Sequence, residues 1–224
     1  MPESLRDIES TDPVPQLWDI TPPITPSLAV WPGDTALTRE TLCTIDGGAS
    51  VTLSTLRATV HLGAHVDGPN HYGSGAPSID ARSLDFYLGP CQVMRANVAR
   101  GARVRGSDLV LGVDAVTERR ILIATRTYPD ASRWNEDFAA LDPALIDALH
   151  ARGVMTIGID TPSVDLFSSK DLPAHRRFLA HDMAIIEGLR LADVPEGRYE
   201  LIALPLPLVG FDASPVRAVL RELA

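Results

Sequence analysis

Several short segments of the chain are rich in apolar and β-branched residues and predict β-strands. The segment "SVTLSTLRATV" has a high β-branched content, and "CQVMRANV", "RILIATR" and "MTIGID" are short and mostly apolar. Runs of this length and composition are typical of strands. We therefore predict strands at residues 50–60, 91–98, 120–126 and 155–160.

The stretch "LDPALIDALHARG" gives the clearest helical pattern in the chain. Asp142 can cap the helix, Pro143 suits its first position, and Gly153 lies just past its end. An apolar stripe at helical spacing supports this interpretation, formed by Leu145, Ile146 and Leu149. The predicted helix leads directly into the strand at 155–160.

Two further segments are less clear. "AHRRFLAH", residues 174–181, predicts a helix with Phe178 and Leu179 facing inward and Arg176 and Arg177 facing outward. The terminal "SPVRAVLREL" fits a helix by spacing but a strand by its β-branched content. The alternation of strands and helices predicts a mixed α/β fold.

Composition limits the chain to one globular domain. Its 224 residues are 45% hydrophobic and 22% charged, and they contain no repeat, low-complexity tract or linker. We predict a single domain over residues 17–224, preceded by a polar lead-in at residues 1–16. With only Cys43 and Cys91, a disulfide is not needed for a core of this size, and we expect both to be reduced.

Charge and hydropathy exclude some partners and locations. The net charge of −9 disfavours nucleic acid, because phosphate-binding surfaces are basic. The longest apolar run, residues 201–211, is too short to span a bilayer and is interrupted by Pro205 and Pro207. The first residues lack the basic start and apolar core of a secretory signal, so we predict a cytoplasmic protein.

The stretch "HLGAHVDGPNH", residues 61–71, contains three of the six histidines of the chain and an aspartate. Its glycines and proline disfavour a helix, so we expect an extended segment. Side chains alternate faces in an extended chain, which would direct the odd-numbered residues to one side. Four polar side chains would then converge, from His61, His65, Asp67 and His71.

Imidazole nitrogens and a carboxylate at this spacing predict a divalent metal site. Catalytic zinc is commonly held by this ligand set, whereas structural zinc more often uses cysteine thiolates, and the two cysteines here are isolated. Two alternatives remain open. The histidines could make unrelated hydrogen bonds, or the metal could serve only to stabilise the fold.

The same stretch carries a family resemblance. It matches the H-x-G-x-H-x-D-x-P-x-H signature of the metal-dependent cyclase superfamily, and the rest of the chain resembles the bacterial kynurenine formamidase (arylformamidase) branch. The resemblance covers residues 17–223 and rests also on "VWPGDT" (30–35), "GAPSID" (75–80), "GIDTPSVD" (158–165), "LPAHRRFLAHDMAIIEGL" (172–189) and "DASPVRAVLREL" (212–223).

The resemblance implies a site with two zinc ions, with manganese or cobalt as possible replacements. His61 and His65 would bind one ion and His175 the other, while Asp67 and Glu187 would bridge or serve both. His175 fits the family segment better than His181. His71 would be the proton donor and acceptor, and Trp31 would contact the substrate. The family also implies a swivelling β/β/α arrangement around a central mixed sheet and a homodimer.

The resemblance implies hydrolysis of N-formyl-L-kynurenine to L-kynurenine and formate in tryptophan degradation. A related hydrolase acting on a cyclic amide such as isatin is the enzymatic alternative, and a metal-binding protein without turnover is the other. Trp31 could also be a core or interface residue. Asp160 and Asp165 could orient ligands or simply lie in turns, and we interpret His150 as structural.

Overall fold

The computed structural model describes residues 15–223, so most of the predicted lead-in at residues 1–16, and Ala224, lie outside the described residues. The described part contains thirteen strands: β1 Leu17–Asp19, β2 Thr38–Cys43, β3 Leu53–Arg57, β4 His65–Asp67, β5 Leu88–Arg95, β6 Arg103–Val104, β7 Arg120–Ala124, β8 Ala140–Leu141, β9 Thr156–Ile159, β10 Ala184–Glu187, β11 Gly197–Ile202, β12 Ala213–Pro215 and β13 Val219–Glu222.

Helices are few and short within residues 15–223. There are two α-helices, α1 Pro143–His150 and α2 Pro173–His181. Single turns of 3-10 helix occur at Pro69–His71, Ile79–Ala81, Leu84–Phe86, Gly106–Asp108 and Val113–Ala115. None of the helices in the described range has the length and hydrophobicity needed to span a bilayer.

Nine strands form one mixed sheet in the order β1-β13-β11-β5-β7-β9-β10-β4-β12. At its centre β5, β7, β9 and β10 run parallel to one another. On one side β4 pairs antiparallel with β10 and then with β12. The predicted α/β class with a central mixed sheet in one domain is confirmed. β2 and β3 form a separate hairpin outside this sheet.

The central strands are buried on both faces, as expected for parallel strands covered by other elements. Consecutive residues of β7 illustrate this, since Leu122 packs into one apolar cluster while Ile121 and Ile123 pack into the other. The second cluster also receives the apolar faces of α1 and α2, so both helices cover the same side of the sheet. The ends of the central strands are thereby held rigidly.

The predicted strands and helices are largely confirmed. The Asp142 side chain accepts a hydrogen bond from the Ala144 amide at 2.9 Å, which is the expected cap of α1. Inward placement was right for Phe178, which is fully buried, but wrong for Leu179, which is 38% exposed. The ambiguous C-terminal segment forms β12 and β13 because pairing with β4 and β11 outweighs its helical spacing. Cys43 and Cys91 are free thiols, as predicted.

Candidate metal centre

The motif at residues 61–71 is extended only in part. Its middle forms β4, Gly63 lies in the left-handed region at φ +60°, and Pro69–His71 form a turn of 3-10 helix. The expectation of an extended segment is therefore confirmed for the middle of the motif and wrong at its ends. The four polar side chains still converge, because the bends before and after β4 fold the ends of the motif toward its middle.

The buried carboxylate of Asp67 lies among three imidazole rings. Its Oδ1 is 3.2 Å from Nδ1 of His61 and 3.6 Å from Nε2 of His65. Its Oδ2 is 3.6 Å from Nε2 of His175, which comes from α2, more than 100 residues along the chain. Asp67 thus lies between two histidines of the motif and a histidine from the second half of the chain.

Glu187 brings a second buried carboxylate to the same place. It is the last residue of β10, which pairs with β4 so that Glu187 lies opposite His65. Its Oε2 is 3.3 Å from Nε2 of His65, and its Oε1 is 3.9 Å from Nε2 of His175. The Val164 amide donates a hydrogen bond to Oε1 at 2.7 Å and fixes the carboxylate. Glu187 therefore also lies between the two histidines.

Outer contacts fix the orientation of both buried rings. Nδ1 of His65 is 2.9 Å from the Gly63 carbonyl oxygen, and Nδ1 of His175 is 2.9 Å from the Asp165 carboxylate. Asp165 also accepts hydrogen bonds from the His175 backbone amide and from Arg103. With Nδ1 held in this way, Nε2 of each ring faces the carboxylates, which is how metal-binding histidines are commonly oriented.

Asp212 belongs to this site, although the sequence did not indicate it as a site residue. Its Oδ2 is 3.0 Å from Nε2 of His61 and 3.5 Å from Nδ1 of His71. The pairing of β12 with β4 positions it, together with a 2.7 Å hydrogen bond from the Gly68 amide to the Asp212 carbonyl. The only sequence signal was its place at the start of the family-like segment 212–223.

Several buried ligand atoms at the centre have no hydrogen-bond partner among the described residues. These atoms are Nε2 of His65 and both carboxylate oxygens of Asp67. Leaving such groups buried without a partner is costly, and metal coordination removes that cost. Three overlapping groups each place three ligand atoms within 4.8 Å of one another: His61, His65 and Asp67; Asp67, His71 and His175; and His61, His71 and Asp212. The residues present fit a divalent metal.

The pKa values show how tightly charge is balanced here. Burial alone would lower the pKa of His175, but Asp165 and Asp67 raise it to about 10. Burial also opposes protonation of His61, yet contact with Asp67 raises its pKa to about 9. Burial would raise the pKa of Asp67, whereas the His175 and His61 rings lower it well below the usual range. A metal ion that binds to this cluster would displace protons, so we expect its affinity to rise with pH.

Two further histidines lie outside the cluster. His181 contacts the Asp147 carboxylate of α1 at 2.7 Å, and its ring stacks on that of His150 with centroids 4.0 Å apart. They connect α1 and α2, which agrees with a structural role for His150. Of the two α2 histidines, only His175 lies in the cluster.

A cavity of about 1530 Å³ opens onto this centre, and its lining includes His61, His65, His71, His175 and Glu187. Trp31 lies on its wall and is 37% exposed. The Trp31 ring packs against Trp134 and Phe167, with centroids 5.2 and 5.1 Å away. These contacts hold its flat surface in a fixed position beside the cavity.

Gly188, directly after Glu187, is required for β10 to approach the motif. Its φ is +68°, and a Cβ there would lie 2.2 Å from the Gly63 carbonyl oxygen.

We expect G188A to lower the free energy of unfolding by about 3 kcal/mol, through backbone strain and overpacking. Gly101 is the matched control, because its φ is +73° with no atom within 4 Å. G101A should cost only about 1 kcal/mol; equal losses in urea unfolding would contradict this account.

Comparison with known proteins gives consistent results. Residues 18–166 match the family described as "Putative cyclase". The kynurenine formamidase of Bordetella pertussis (strain Tohama I) is 46% identical over 209 residues, which cover 93% of this chain and 99% of that protein.

Among solved structures, one described as a potential metal-dependent hydrolase with cyclase activity has a TM-score of 0.81 at 26% identity. The match covers 94% of this chain and all of that one. An isatin hydrolase bound to the product analogue thioisatinate has a TM-score of 0.79 at 17% identity, covering 94% of this chain and 93% of that one. This last similarity concerns the fold alone.

Proposed function

The chain belongs to the putative cyclase family, among the kynurenine formamidases, and we propose that it hydrolyses N-formyl-L-kynurenine to L-kynurenine and formate in tryptophan degradation. The chain is an amide hydrolase. The proposal concerns which substrate it hydrolyses, which metal it binds and what each site residue does. The observation that carries it is the meeting of two buried carboxylates and four imidazole rings beside a cavity whose lining includes Trp31.

We assign the metal to the buried cluster. His61 and His65 would hold one zinc ion and His175 the other, with Asp67 and Glu187 between them, since each carboxylate contacts imidazole nitrogens on both sides. Bound there, a divalent metal would supply a water of lowered pKa and positive charge to stabilise the oxyanion formed from the substrate carbonyl. Manganese or cobalt would fit the same oxygen and nitrogen donors.

His71 is the proposed proton carrier. An arylamine leaves poorly as an anion, so a proton must reach its nitrogen as the C–N bond breaks. The His71 side chain is 35% exposed, within the cavity lining, and its Nδ1 lies 3.5 Å from Asp212. Asp212 orients the ring through Nδ1, which leaves Nε2 to exchange a proton with water or substrate.

Trp31 is the proposed contact for the aromatic ring of the substrate. Its ring is held by Trp134 and Phe167, so little conformational freedom is lost when a second ring packs on it. Stacking of this kind contributes on the order of 1 kcal/mol beyond burial.

The experiment that tests the proposal is turnover by the purified, metal-loaded protein. N-formyl-L-kynurenine is supplied alongside isatin at equal concentration, and release of L-kynurenine is followed by its absorbance. Rapid turnover of the formamide with little action on isatin supports the proposal. Preferential opening of isatin would assign the site to cyclic amides, and no turnover of either would favour a metal-binding role without catalysis.

We also propose that the protein is a homodimer that uses the β2–β3 hairpin. Within residues 15–223 this hairpin pairs with no other strand, and every residue of β3 is exposed. Its large exposed apolar side chains are Leu42, Ile45, Val51, Leu53 and Leu56. Exposed apolar side chains grouped on one hairpin are typical of a protein interface. The cytoplasmic location stays a prediction from the sequence.

The dimer can be tested at Leu56, which is 66% exposed. The wild type is expected to have twice the 24.1 kDa chain mass in light scattering, and L56E is expected to be largely monomeric because a carboxylate is costly to bury in an apolar interface. V209E, on a loop where Val209 is 81% exposed, is the control and should remain dimeric. A monomeric wild type would contradict the proposal.

A further inference from the structure

The cavity is far larger than the metal centre, and the rest of its wall must meet the remote end of the substrate. N-formyl-L-kynurenine carries an α-amino acid group at that end, with a carboxylate that is charged at neutral pH. Among the described residues that line the cavity, the arginines are Arg126 and Arg190, and there is no lysine. A carboxylate is most strongly recognised by a guanidinium group, which can bind both of its oxygens at once.

Arg126 occupies an unusual backbone conformation just beyond the end of β7. Its φ is +60°, in the left-handed region that residues other than glycine and asparagine rarely adopt. Non-glycine residues held in this way cluster at binding and active sites. An arginine at a position that glycine would fill with less strain suggests that its side chain is needed there.

A buried network holds this conformation. The Arg126 amide donates a hydrogen bond to Oδ2 of Asp160 at 2.8 Å, and the Thr125 amide and hydroxyl donate to Oδ1 at 3.0 and 2.6 Å. The Thr125 hydroxyl is also 2.9 Å from that of Thr127. Asp160, for which the sequence left two roles open, therefore fixes the backbone that presents Arg126 to the cavity. It does not contact the metal cluster.

The sheet separates the backbone near Arg126 from that of Glu187 by a distance comparable to the length of the substrate. In the sheet, β9 separates β7 from β10, so Arg126 follows a strand two positions away from the strand that ends in Glu187. Neighbouring strands are about 4.8 Å apart, which gives a separation across the sheet of about 10 Å. The formyl carbon and the α-carboxylate of the substrate are about seven bonds apart, a span of roughly 8 Å.

The guanidinium of Arg126 is free to take a carboxylate. Among residues 15–223, no carboxylate oxygen lies within 4.0 Å of its nitrogens. Its Nη2 donates a hydrogen bond to the neutral Ala192 carbonyl oxygen at 3.3 Å. Because the side chain is exposed, little desolvation opposes a new ion pair. We propose that Arg126 binds the α-carboxylate of the substrate and thereby selects amino-acid formamides, an inference that rests on the proposed function.

The test compares two substrates that differ only at this end. N-formyl-L-kynurenine carries the carboxylate, while 2-formamidoacetophenone keeps the aryl formamide and the ketone but lacks the amino acid group. The variants are R126Q, which removes the charge at similar length, and R126N, since asparagine tolerates a left-handed backbone and protects against misfolding. R190Q is the matched control for removal of an arginine from the same cavity wall.

For R126Q and R126N, kcat/KM for N-formyl-L-kynurenine is expected to fall about 10- to 100-fold, mainly through KM, because a charge-assisted bond present in both ground and transition state is lost. The loss of kcat/KM for 2-formamidoacetophenone should be at least about ten-fold smaller than the loss for N-formyl-L-kynurenine. Binding of L-kynurenine, measured by calorimetry, should weaken in parallel.

Four results would overturn the inference. Equal losses for both substrates would assign Arg126 to folding or to the metal centre. A selective loss in R190Q and not in R126Q would move the carboxylate contact to Arg190. Failure of the wild type to hydrolyse either formamide would overturn both the proposed function and the role of Arg126. Wild-type activity that R126Q leaves unchanged would overturn only the role of Arg126.

Discussion

The variant D67N is expected to lose both metal and turnover. Among residues 15–223, Asp67 is the one carboxylate within 4.0 Å of ring nitrogens of His61, His65 and His175, and it is only 2% exposed. An amide at this position removes the negative charge that a pair of cations would share. Because loss of an outer-shell partner alone costs about 10- to 100-fold in metal affinity or activity, loss of this central ligand should cost more than about 100-fold in both.

The control for D67N is D34N, because Asp34 lies exposed on the same cavity wall and its carboxylate accepts a hydrogen bond from the neighbouring Thr35 amide. Zinc per chain, measured by plasma emission after dialysis, should fall in D67N and remain at the wild-type level in D34N. A D67N protein that keeps its full metal content would refute the assignment of Asp67 as the shared ligand.

The second large effect is expected for H71A, and it should differ in kind. General acid–base catalysis by a positioned side chain contributes about 10²- to 10⁴-fold, so kcat should fall by this factor. Metal content should be retained, since the proposed zinc ligands are intact. Ligand atoms of His71, Asp67 and His175 lie within 4.8 Å of one another. The metal content of H71A therefore distinguishes a proton carrier at this position from a metal ligand.

A substrate with a better leaving group sharpens the test of His71. N-formyl-4-nitroaniline releases a much less basic amine, whose nitrogen needs less proton transfer as the bond breaks. The loss caused by H71A should therefore be smaller for this substrate than for N-formyl-L-kynurenine. Zinc lost from H71A, or an equal loss of kcat for both substrates, would count against the proton-carrier role.

The sequence predicted what depends on local pattern. The strands at 91–98 and 120–126 correspond to β5 and β7 because buried central strands require near-continuous apolar runs. The cap at Asp142 was predictable because a capping side chain bonds to a backbone amide two residues away. The convergence of the motif was also predictable, although bends, rather than one extended strand, bring its side chains together.

The sequence could not predict features that depend on distant pairing. Asp212 meets His61 across 151 positions, and only the pairing of β12 with β4 makes them neighbours. The left-handed backbone of Arg126 depends on Asp160, which lies directly after β9 and is distant in sequence. The exposure of Leu179 likewise reflects how α2 packs on α1 and the sheet, which helical spacing alone does not determine.

The central claim is that the buried cluster is a two-metal centre that hydrolyses N-formyl-L-kynurenine. The most direct measurement is a titration of chelator-stripped wild type with zinc, in which bound metal and release of L-kynurenine are followed together. We expect no turnover without metal and a rate that saturates as two ions per chain are bound. Full turnover by metal-free protein, or none by fully loaded protein, would contradict the claim.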